Sequence, residues 1–181
     1  MRYLVLLLLV LLLLVLLLLV LLPLPVSAGQ TIQGMVREVY DGDTVLVVTR
    51  SDGRLKVRLY GIDAPETRKP DRAAQPFGSQ AKRVLMYKLL GREVLLEVRE
   101  RDQYGRAVAV VRQGQRDINA EMVAEGMAWA YRHYLDGPYA SRYIGLEEQA
   151  RRRRLGLWRQ SNPQPPWEFR QAGKGHGKRR R

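Results

Sequence analysis

Alternating apolar and polar positions along the middle of the chain predict a β-rich domain. The stretch Leu-Lys-Val-Arg-Leu-Tyr at residues 55–60 has the two-residue period of a strand, which buries its leucines and valine and turns Arg58 to the other face. Asp-Gly sequences mark turns before and after the preceding apolar stretch, as in a hairpin. The other predicted strands cover residues 31–39, 44–49, 93–99 and 107–111.

Apolar residues spaced three or four apart predict three helices, at residues 78–90, 118–125 and 139–154. Either Asp117 or Asn119 is expected to cap the second helix, and Gly126 to end it. Five strands with the helices inserted late predict a mainly β protein with helices (α+β), a five-stranded OB-fold barrel plus about three α-helices. A β-sandwich has the same strand count, and propensity alone does not separate the two.

The N-terminal segment has the features of a targeting sequence. Arg2 precedes an unbroken apolar run over residues 4–22, and the small-residue sequence Val-Ser-Ala ends at Ala28. This order predicts a secretory signal peptide over residues 1–28, cleaved after Ala28. The run is also long enough for a retained membrane anchor, since about 20 residues cross a bilayer. In both cases the remainder of the protein is expected to be secreted or extracytoplasmic.

Composition divides the rest of the chain in two. Residues 29–159 carry the predicted strands and helices and form the expected folded domain. Residues 160–181 begin with a proline-rich stretch and end in Lys-Arg-Arg-Arg. Because this segment has little apolar content to bury, we expect a disordered basic tail.

Charge and residue usage narrow the partners. The 181 residues include 31 Lys and Arg against 18 Asp and Glu, a net charge of +13 that favours nucleic acid or an anionic membrane as partner. The chain has no cysteine and two histidines, so thiolate and zinc sites are not expected. A bound metal would need oxygen ligands, which favours Ca²⁺, Mg²⁺ or Mn²⁺.

Three short motifs carry charged groups that strands and turns do not require. They are Asp-Gly-Asp-Thr at residues 41–44, Arg-Leu-Tyr-Gly-Ile-Asp-Ala-Pro-Glu at residues 58–66 and Asp-Gln-Tyr-Gly-Arg at residues 102–106. Each alone is equally well a turn or a surface ion pair. Together they supply what phosphodiester hydrolysis needs: arginines for phosphate oxygens, aspartates for a hard cation, a glutamate for water and a tyrosine for sugar or base.

These three motifs, in this order, resemble the staphylococcal nuclease (thermonuclease) domain family over about residues 31–158. The resemblance implies an OB barrel with three helices. It also implies a calcium-dependent endonuclease that hydrolyses DNA and RNA with little sequence specificity and holds one Ca²⁺ (or the related Mg²⁺ or Mn²⁺). We expect the protein to be a monomer.

The resemblance assigns roles to eight positions, in three classes. The metal ligands are Asp43, Asp63 and the carbonyl of Ala64; the catalytic residues are Arg58, Glu66 and Arg106, with Glu66 as general base; and the substrate-binding residues are Tyr104 and Tyr134.

Two positions depart from the family pattern, and one assignment has an alternative. Ala64 stands where the family's type member has Thr, which keeps a carbonyl ligand but loses a hydroxyl. Gln103 stands where it has Lys, which removes one positive contact to a terminal phosphate. Tyr131 is the alternative to Tyr134 for the contact with the nucleoside.

Two other functions compete with a nuclease. One is a catalytically silent nucleic-acid-binding OB domain, and the other is a membrane-anchored structural protein. Asp43, Asp63 and Glu66 disfavour a silent binder, because carboxylates in a phosphate groove repel the ligand unless a cation neutralises them. The three matched motifs disfavour a structural protein.

Overall fold

Five long strands and five α-helices carry most of the chain, with three two-residue strands between them, in the residues that the computed structural model describes: 2–20, 31–51, 53–70 and 73–177. The strands are β1 (Thr31–Val39), β2 (Thr44–Thr49), β3 (Arg54–Leu59), β4 (Ile62–Asp63), β5 (Glu93–Arg101), β6 (Ala107–Gln113), β7 (Arg116–Asp117) and β8 (Trp129–Ala130). The helices are α1 (Arg2–Val20), α2 (Gly78–Leu89), α3 (Ile118–Ala124), α4 (Gly137–Arg152) and α5 (Pro166–Gly177).

The five long strands close into a barrel. β1 pairs antiparallel with both β2 and β5, β2 pairs with β3, and β5 pairs with β6. A parallel pairing of β3 with β6 joins the two ends of this sheet. The predicted OB-fold α+β architecture is confirmed, and the closing pair excludes the sandwich alternative.

The core fills the barrel and the space between the barrel and its helices. Strand residues that point inward are fully buried, among them Val36, Val57 and Leu96. α2 packs on this core through Leu85 and Leu89, both without solvent exposure. The two-residue period of the strands and the three- to four-residue spacing of the helices, both visible in the sequence, are what allow these side chains to meet.

The three predicted helices form, at α2, α3 and α4. Asp117, rather than Asn119, caps α3: its carboxylate accepts a hydrogen bond of 3.0 Å from the amide of Ala120. The remaining two helices, α1 and α5, lie in segments where the sequence predicted a targeting sequence and a disordered tail.

The C-terminal segment differs from the prediction. Residues 166–177 form α5, so the expected disorder is corrected there. Pro166 begins the helix, a position where a missing amide hydrogen costs nothing. The ring of Trp167 then packs against Trp129 and Tyr131. The segment therefore makes apolar contacts that its composition did not predict. Residues 178–181 lie outside the described residues, and the boundaries 28/29 and 159/160 stay predictions.

The predictions for the N-terminus are only partly within the described residues. The expected cleavage site after Ala28 lies outside them. Of the predicted anchor over residues 4–22, α1 includes the part up to Val20. No helix in the described part of the chain is long and apolar enough to cross a membrane.

Asn119 joins α3 to the closing seam of the barrel. Its side chain is fully buried, and its amide nitrogen donates to the carbonyls of Tyr60 (3.0 Å) and Ala109 (3.1 Å). Its amide oxygen accepts from the backbone N–H of Val111 at 3.0 Å. One side chain therefore satisfies backbone groups from the two strands that close the barrel.

We predict that Asn119→Ala lowers the free energy of unfolding by about 3 kcal/mol, because buried backbone groups lose their partner. Urea unfolding followed by circular dichroism measures this loss. Asn162→Ala, at an exposed position, is the control and should stay within about 0.5 kcal/mol of the wild type. A loss below about 1 kcal/mol for Asn119→Ala would contradict this role.

Candidate active site

A cleft of about 820 Å³ opens on the barrel beside the β1–β2 turn, the loop after β4 and the β5–β6 hairpin. The structure brings all eight predicted site residues to this place. Asp63 has no solvent exposure and lies beneath the surface, in contact with two arginines that line the cleft. The other seven line the cleft directly: Asp43, Arg58, Ala64, Glu66, Tyr104, Arg106 and Tyr134.

Strand pairing explains why three motifs far apart in sequence meet. Arg58 on β3 lies opposite Thr44 of β2, which brings the first motif beside the second. On its other side Arg58 lies opposite Val108 of β6, two residues after Arg106. β3 therefore lies between the other two motifs. It pairs with β2 on one side and, in the pair that closes the barrel, with β6 on the other.

A single guanidinium joins the two aspartates. Arg58 Nη1 donates to Asp43 Oδ1 at 2.8 Å, and Arg58 Nη2 donates to Asp63 Oδ1 at 2.9 Å. Both carboxylates are buried, so they depend on this positive charge. The aspartates predicted as metal ligands are thus neighbours, bridged by an arginine predicted to bind phosphate.

Close packing fixes the turn that carries Asp43. A Cβ added at Gly42 would lie 2.6 Å from the Cβ of Ala64 and 2.7 Å from that of Ala81, so only glycine fits. The backbone amide of Ala64 donates to Asp43 Oδ2 at 2.9 Å. Ala64 therefore contacts the site through its amide in this structure, and the ligand role of its carbonyl stays a prediction.

Burial and mutual repulsion oppose the ionisation of the three aspartates at the site. Burial would raise the pKa of Asp43, but Arg58 and the amide of Ala64 together lower it below its usual range. Burial and the charge of Asp43 raise the pKa of Asp41 to about 7. Burial, with Asp43 as a further cause, also raises the pKa of Asp63. An added cation would relieve this repulsion.

Glu66 is buried at the edge of the same cleft and bonds to two positively charged side chains. Its carboxylate accepts from Lys69 Nζ at 2.7 Å and from Arg170 Nη1 at 2.9 Å. Burial would raise the pKa of Glu66, but these two partners outweigh it and lower the pKa. Tight backbone packing holds the loop in place, since a Cβ at Gly78 would lie 2.1 Å from the carbonyl oxygen of Glu66.

The third motif presents Arg106 from a hairpin that orients it. Asp102 Oδ2 accepts from Arg106 Nε at 2.7 Å, and Asp102 Oδ1 accepts from the backbone amides of Tyr104 and Arg106. The guanidinium also lies 5.5 Å from the ring centre of Tyr104. Asp102 thus fixes the direction of Arg106 while leaving the Tyr104 ring 75% exposed at the rim.

An aromatic cluster also lines the cleft. Tyr131 and Tyr134 contact each other edge to face with ring centres 4.9 Å apart, and both line the cleft. Trp167 of α5 stacks on Tyr131, with ring centres 5.0 Å apart and planes inclined by only 5°. Both tyrosines considered for the nucleoside contact are therefore at the site, and Tyr134 is the more exposed.

Sequence reasoning missed several residues that line the cleft, among them Lys69, Trp167 and Arg170. Lys69 lies in a loop, and the polar, proline-rich sequence of that loop did not predict where its side chains point. The last two lie in the segment predicted to be disordered. The sequence Trp-Glu-Phe-Arg at residues 167–170 held one signal, because two aromatic residues so close together are unusual in a disordered tail.

The donor chemistry fits a hard divalent cation. Asp43 and Asp63 offer carboxylate oxygens side by side in a site with excess negative charge, which is what calcium or magnesium prefers. Among the described residues, however, no three acidic, histidine or cysteine side chains are already grouped as a metal site. Arginine nitrogens occupy the space between the carboxylates instead.

Comparisons with known proteins agree with this fold. Residues 56–160 match the family described as staphylococcal nuclease homologue. A micrococcal nuclease of Shigella flexneri is 41% identical over 158 residues, which cover 82% of this chain and 86% of the relative. An uncharacterized endonuclease of Haemophilus influenzae is 37% identical over 77% of this chain and 73% of its own length. Another, from Escherichia coli, is 34% identical over 77% and 85%.

An OB barrel that gathers acidic and arginine side chains in one cleft defines the class of protein. The chain belongs to the staphylococcal nuclease homologue family.

The raised pKa of Asp41 predicts how the stability of the metal-free protein, measured in chelator, depends on pH. A folded-state pKa of about 7, against about 4 in the unfolded chain, means that stability present at low pH is lost as the pH rises between these values. Asp41→Asn removes this titration and keeps an acceptor for the amide of Asp43. We expect its melting temperature to match the wild type near pH 4 and to exceed it increasingly up to about pH 7.

Thermal unfolding at a series of pH values measures this difference. Glu93→Gln, which removes one exposed carboxylate, is the matched charge control. A difference between Asp41→Asn and the wild type that stays constant over this range would show that Asp41 is not the group responsible.

Proposed function

We propose that this protein is a calcium-dependent endonuclease that hydrolyses phosphodiester bonds of DNA and RNA with little sequence specificity. The observation that carries the proposal is the convergence of Arg58, Arg106, Glu66 and Asp43 on one cleft. Family membership and the nuclease names of relatives support a nuclease. A net charge of +13 supports a polyanionic substrate.

Arg58 and Arg106 bind and stabilise the phosphate. Negative charge grows on the phosphorus oxygens as water attacks, and guanidinium groups are strong donors to such oxygens. Both arginines are already oriented by carboxylates, Arg58 by Asp43 and Asp63 and Arg106 by Asp102. Because a guanidinium has five N–H donors, each keeps donors free for a phosphate oxygen. Preorganisation of this kind lowers the barrier without reorganisation during the reaction.

Asp43 and Asp63, with the carbonyl of Ala64, hold the cation. Carboxylate and carbonyl oxygens are the ligands that calcium prefers, and magnesium or manganese accept the same donors. Bound there, the cation supplies positive charge that polarises the phosphate. The chain's own contribution is to bury the two aspartates and keep them adjacent.

Glu66 is the general base that orients the attacking water and accepts its proton. The support is that Glu66 lines the same cleft as Arg58 and Arg106. Its bonds to Lys69 and Arg170 lower its pKa and make it a weaker base in the state described. Productive catalysis therefore requires at least one of these bonds to loosen when substrate enters.

Exposed aromatic rings hold the nucleoside. Tyr104 and Tyr134 line the cleft and expose 75% and 52% of their surface. Base stacking on aromatic rings is tolerant of sequence, as a non-specific nuclease needs. We propose that the enzyme acts as a monomer, because all the residues assigned to the reaction come from one chain.

We also propose that the enzyme is exported. The support is Arg2, the apolar run over residues 4–22 and the small residues before Ala28. Signal cleavage gives a secreted protein, and retention leaves it attached at the outer side of the membrane.

Glu66→Gln tests the nuclease. We expect the rate of cleavage of denatured DNA and of RNA in calcium to fall by about 100-fold or more, because the base is lost while the shape is kept. The purified full chain is compared in calcium and in chelator, with cleavage followed by gel electrophoresis. Glu93→Gln, at an exposed carboxylate, removes the same charge and should cleave like the wild type.

Each result decides between the candidate functions. Equal cleavage by Glu66→Gln and the wild type would overturn the assigned base. Cleavage that continues undiminished in chelator would exclude the calcium requirement. Binding of DNA without any cleavage in calcium would favour the silent nucleic-acid-binding domain.

Export is tested by cell fractionation of the expressed full-length protein. We expect the protein outside the cytoplasm, either shortened by the 28 N-terminal residues or intact in the membrane fraction. Mass measurement separates these two forms. An intact protein in the cytoplasmic fraction would contradict export.

A further inference from the structure

An arginine from the C-terminal helix lies inside the candidate active site. Arg170 is in α5, which begins at Pro166, whereas the match to the family ends at residue 160. The family resemblance therefore assigns no role to this residue.

Arg170 contacts two of the acidic residues on which the proposed reaction depends. Its Nη2 donates to Asp63 Oδ2 at 2.8 Å and its Nη1 to Asp63 Oδ1 at 3.1 Å, a paired, two-pronged contact. The same Nη1 donates to Glu66 Oε1 at 2.9 Å. Because Asp63 has no solvent exposure and Glu66 has 8%, these carboxylates need a nearby positive charge when they are ionised.

Packing of α5 shows that this contact is built into the fold. Trp167 lies one helical turn before Arg170, on the same face, and stacks on Tyr131 with ring centres 5.0 Å apart. The segment leading to α5 is held as well, since Gln75 Nε2 donates to the carbonyl of Gln164 at 2.6 Å. The helix is thus seated on the cleft by an aromatic stack and a hydrogen bond besides its ion pairs.

The same contact obstructs a divalent cation. Asp63 Oδ1 accepts from both Arg58 and Arg170, and Oδ2 accepts from Arg170. A cation that binds Asp63 must share or replace these bonds. It must also approach a guanidinium of the same sign, and that repulsion is strong where little water screens it.

We propose that Arg170 is an internal counter-cation, which holds Asp63 and Glu66 in the cation-free protein and leaves Asp63 when a divalent cation binds. This inference rests on the cation site of the proposed function. It makes α5 a positioning element that keeps the acidic residues paired until metal is available. Metal binding then also removes Arg170 from Glu66, which keeps Lys69 as its positively charged partner.

Such an exchange weakens metal binding by a predictable route. When the binding-competent arrangement is only a fraction of the population, the apparent Kd rises by the inverse of that fraction. Removal of the competing charge at residue 170 therefore tightens calcium binding. A residue that merely supported the fold would have the opposite effect, because its loss would loosen the site.

Calcium titration of the full chain by isothermal calorimetry tests this exchange. We expect Arg170→Gln to bind calcium with a Kd about tenfold lower than the wild type. Arg159→Gln is the matched control, because it removes one exposed positive charge before α5 and should leave the Kd within about twofold of the wild type. A Kd for Arg170→Gln equal to that of Arg159→Gln, or higher, would overturn the proposal.

A second variant and a second readout guard against misfolding. Arg170→Lys keeps a charge but loses the paired contact, and its Kd is expected between those of the wild type and Arg170→Gln. If Arg170→Gln does not fold, an unchanged Kd for Arg170→Lys overturns the proposal. Tryptophan fluorescence should also change when calcium is added to the wild type, because Trp167 lies one turn from the displaced residue, and this change should shrink in Arg170→Gln.

The outcomes separate this inference from the proposed nuclease. Asp43→Asn should abolish calcium binding in both backgrounds, which identifies the site that is titrated. Tighter calcium binding by Arg170→Gln in a protein that cleaves no nucleic acid would support the exchange and refute the nuclease. Cleavage that depends on Glu66, together with calcium binding that does not change when residue 170 is substituted, would support the nuclease and refute the exchange.

Discussion

The pairing of one guanidinium with two buried carboxylates organises this protein. Arg58 bridges Asp43, from the β1–β2 turn, and Asp63, from β4. Burial disfavours ionised carboxylates, and this guanidinium offsets that cost for both aspartates. The bridge therefore ties the geometry of the site to the closure of the barrel, because Arg58 lies on the strand that pairs with both β2 and β6.

Closure of the barrel depends in turn on a buried polar side chain. Asn119 bonds to backbone groups on both sides of the seam between β3 and β6. An apolar side chain there would fill space but leave those groups unpaired. The site and the seam share the same two strands, so the stability of the fold and the geometry of the cleft are coupled through residues that are close in space.

Charge balance at the cleft gives the C-terminal helix its significance. Burial, with the charge of Asp43 as a further cause, raises the pKa values of Asp41 and Asp63, so ionisation of these side chains is costly here. Arg170 adds the second positive charge to Asp63 and also reaches Glu66. An arginine from the same chain thus neutralises these buried acidic side chains.

The sequence by itself determined the barrel strands and three of the helices, because strand alternation and helical spacing are local patterns. Its family resemblance also assigned eight site positions, seven of them within three contiguous motifs, and their roles stay predictions. Only the tertiary structure decided the choice of barrel over sandwich, the cap of α3 and the place of α5. These depend on contacts between distant residues, such as Arg170 with Asp63 and Trp167 with Tyr131. Composition read segment by segment carries no information about such contacts, because the partner that orders a polar tail lies a hundred residues away.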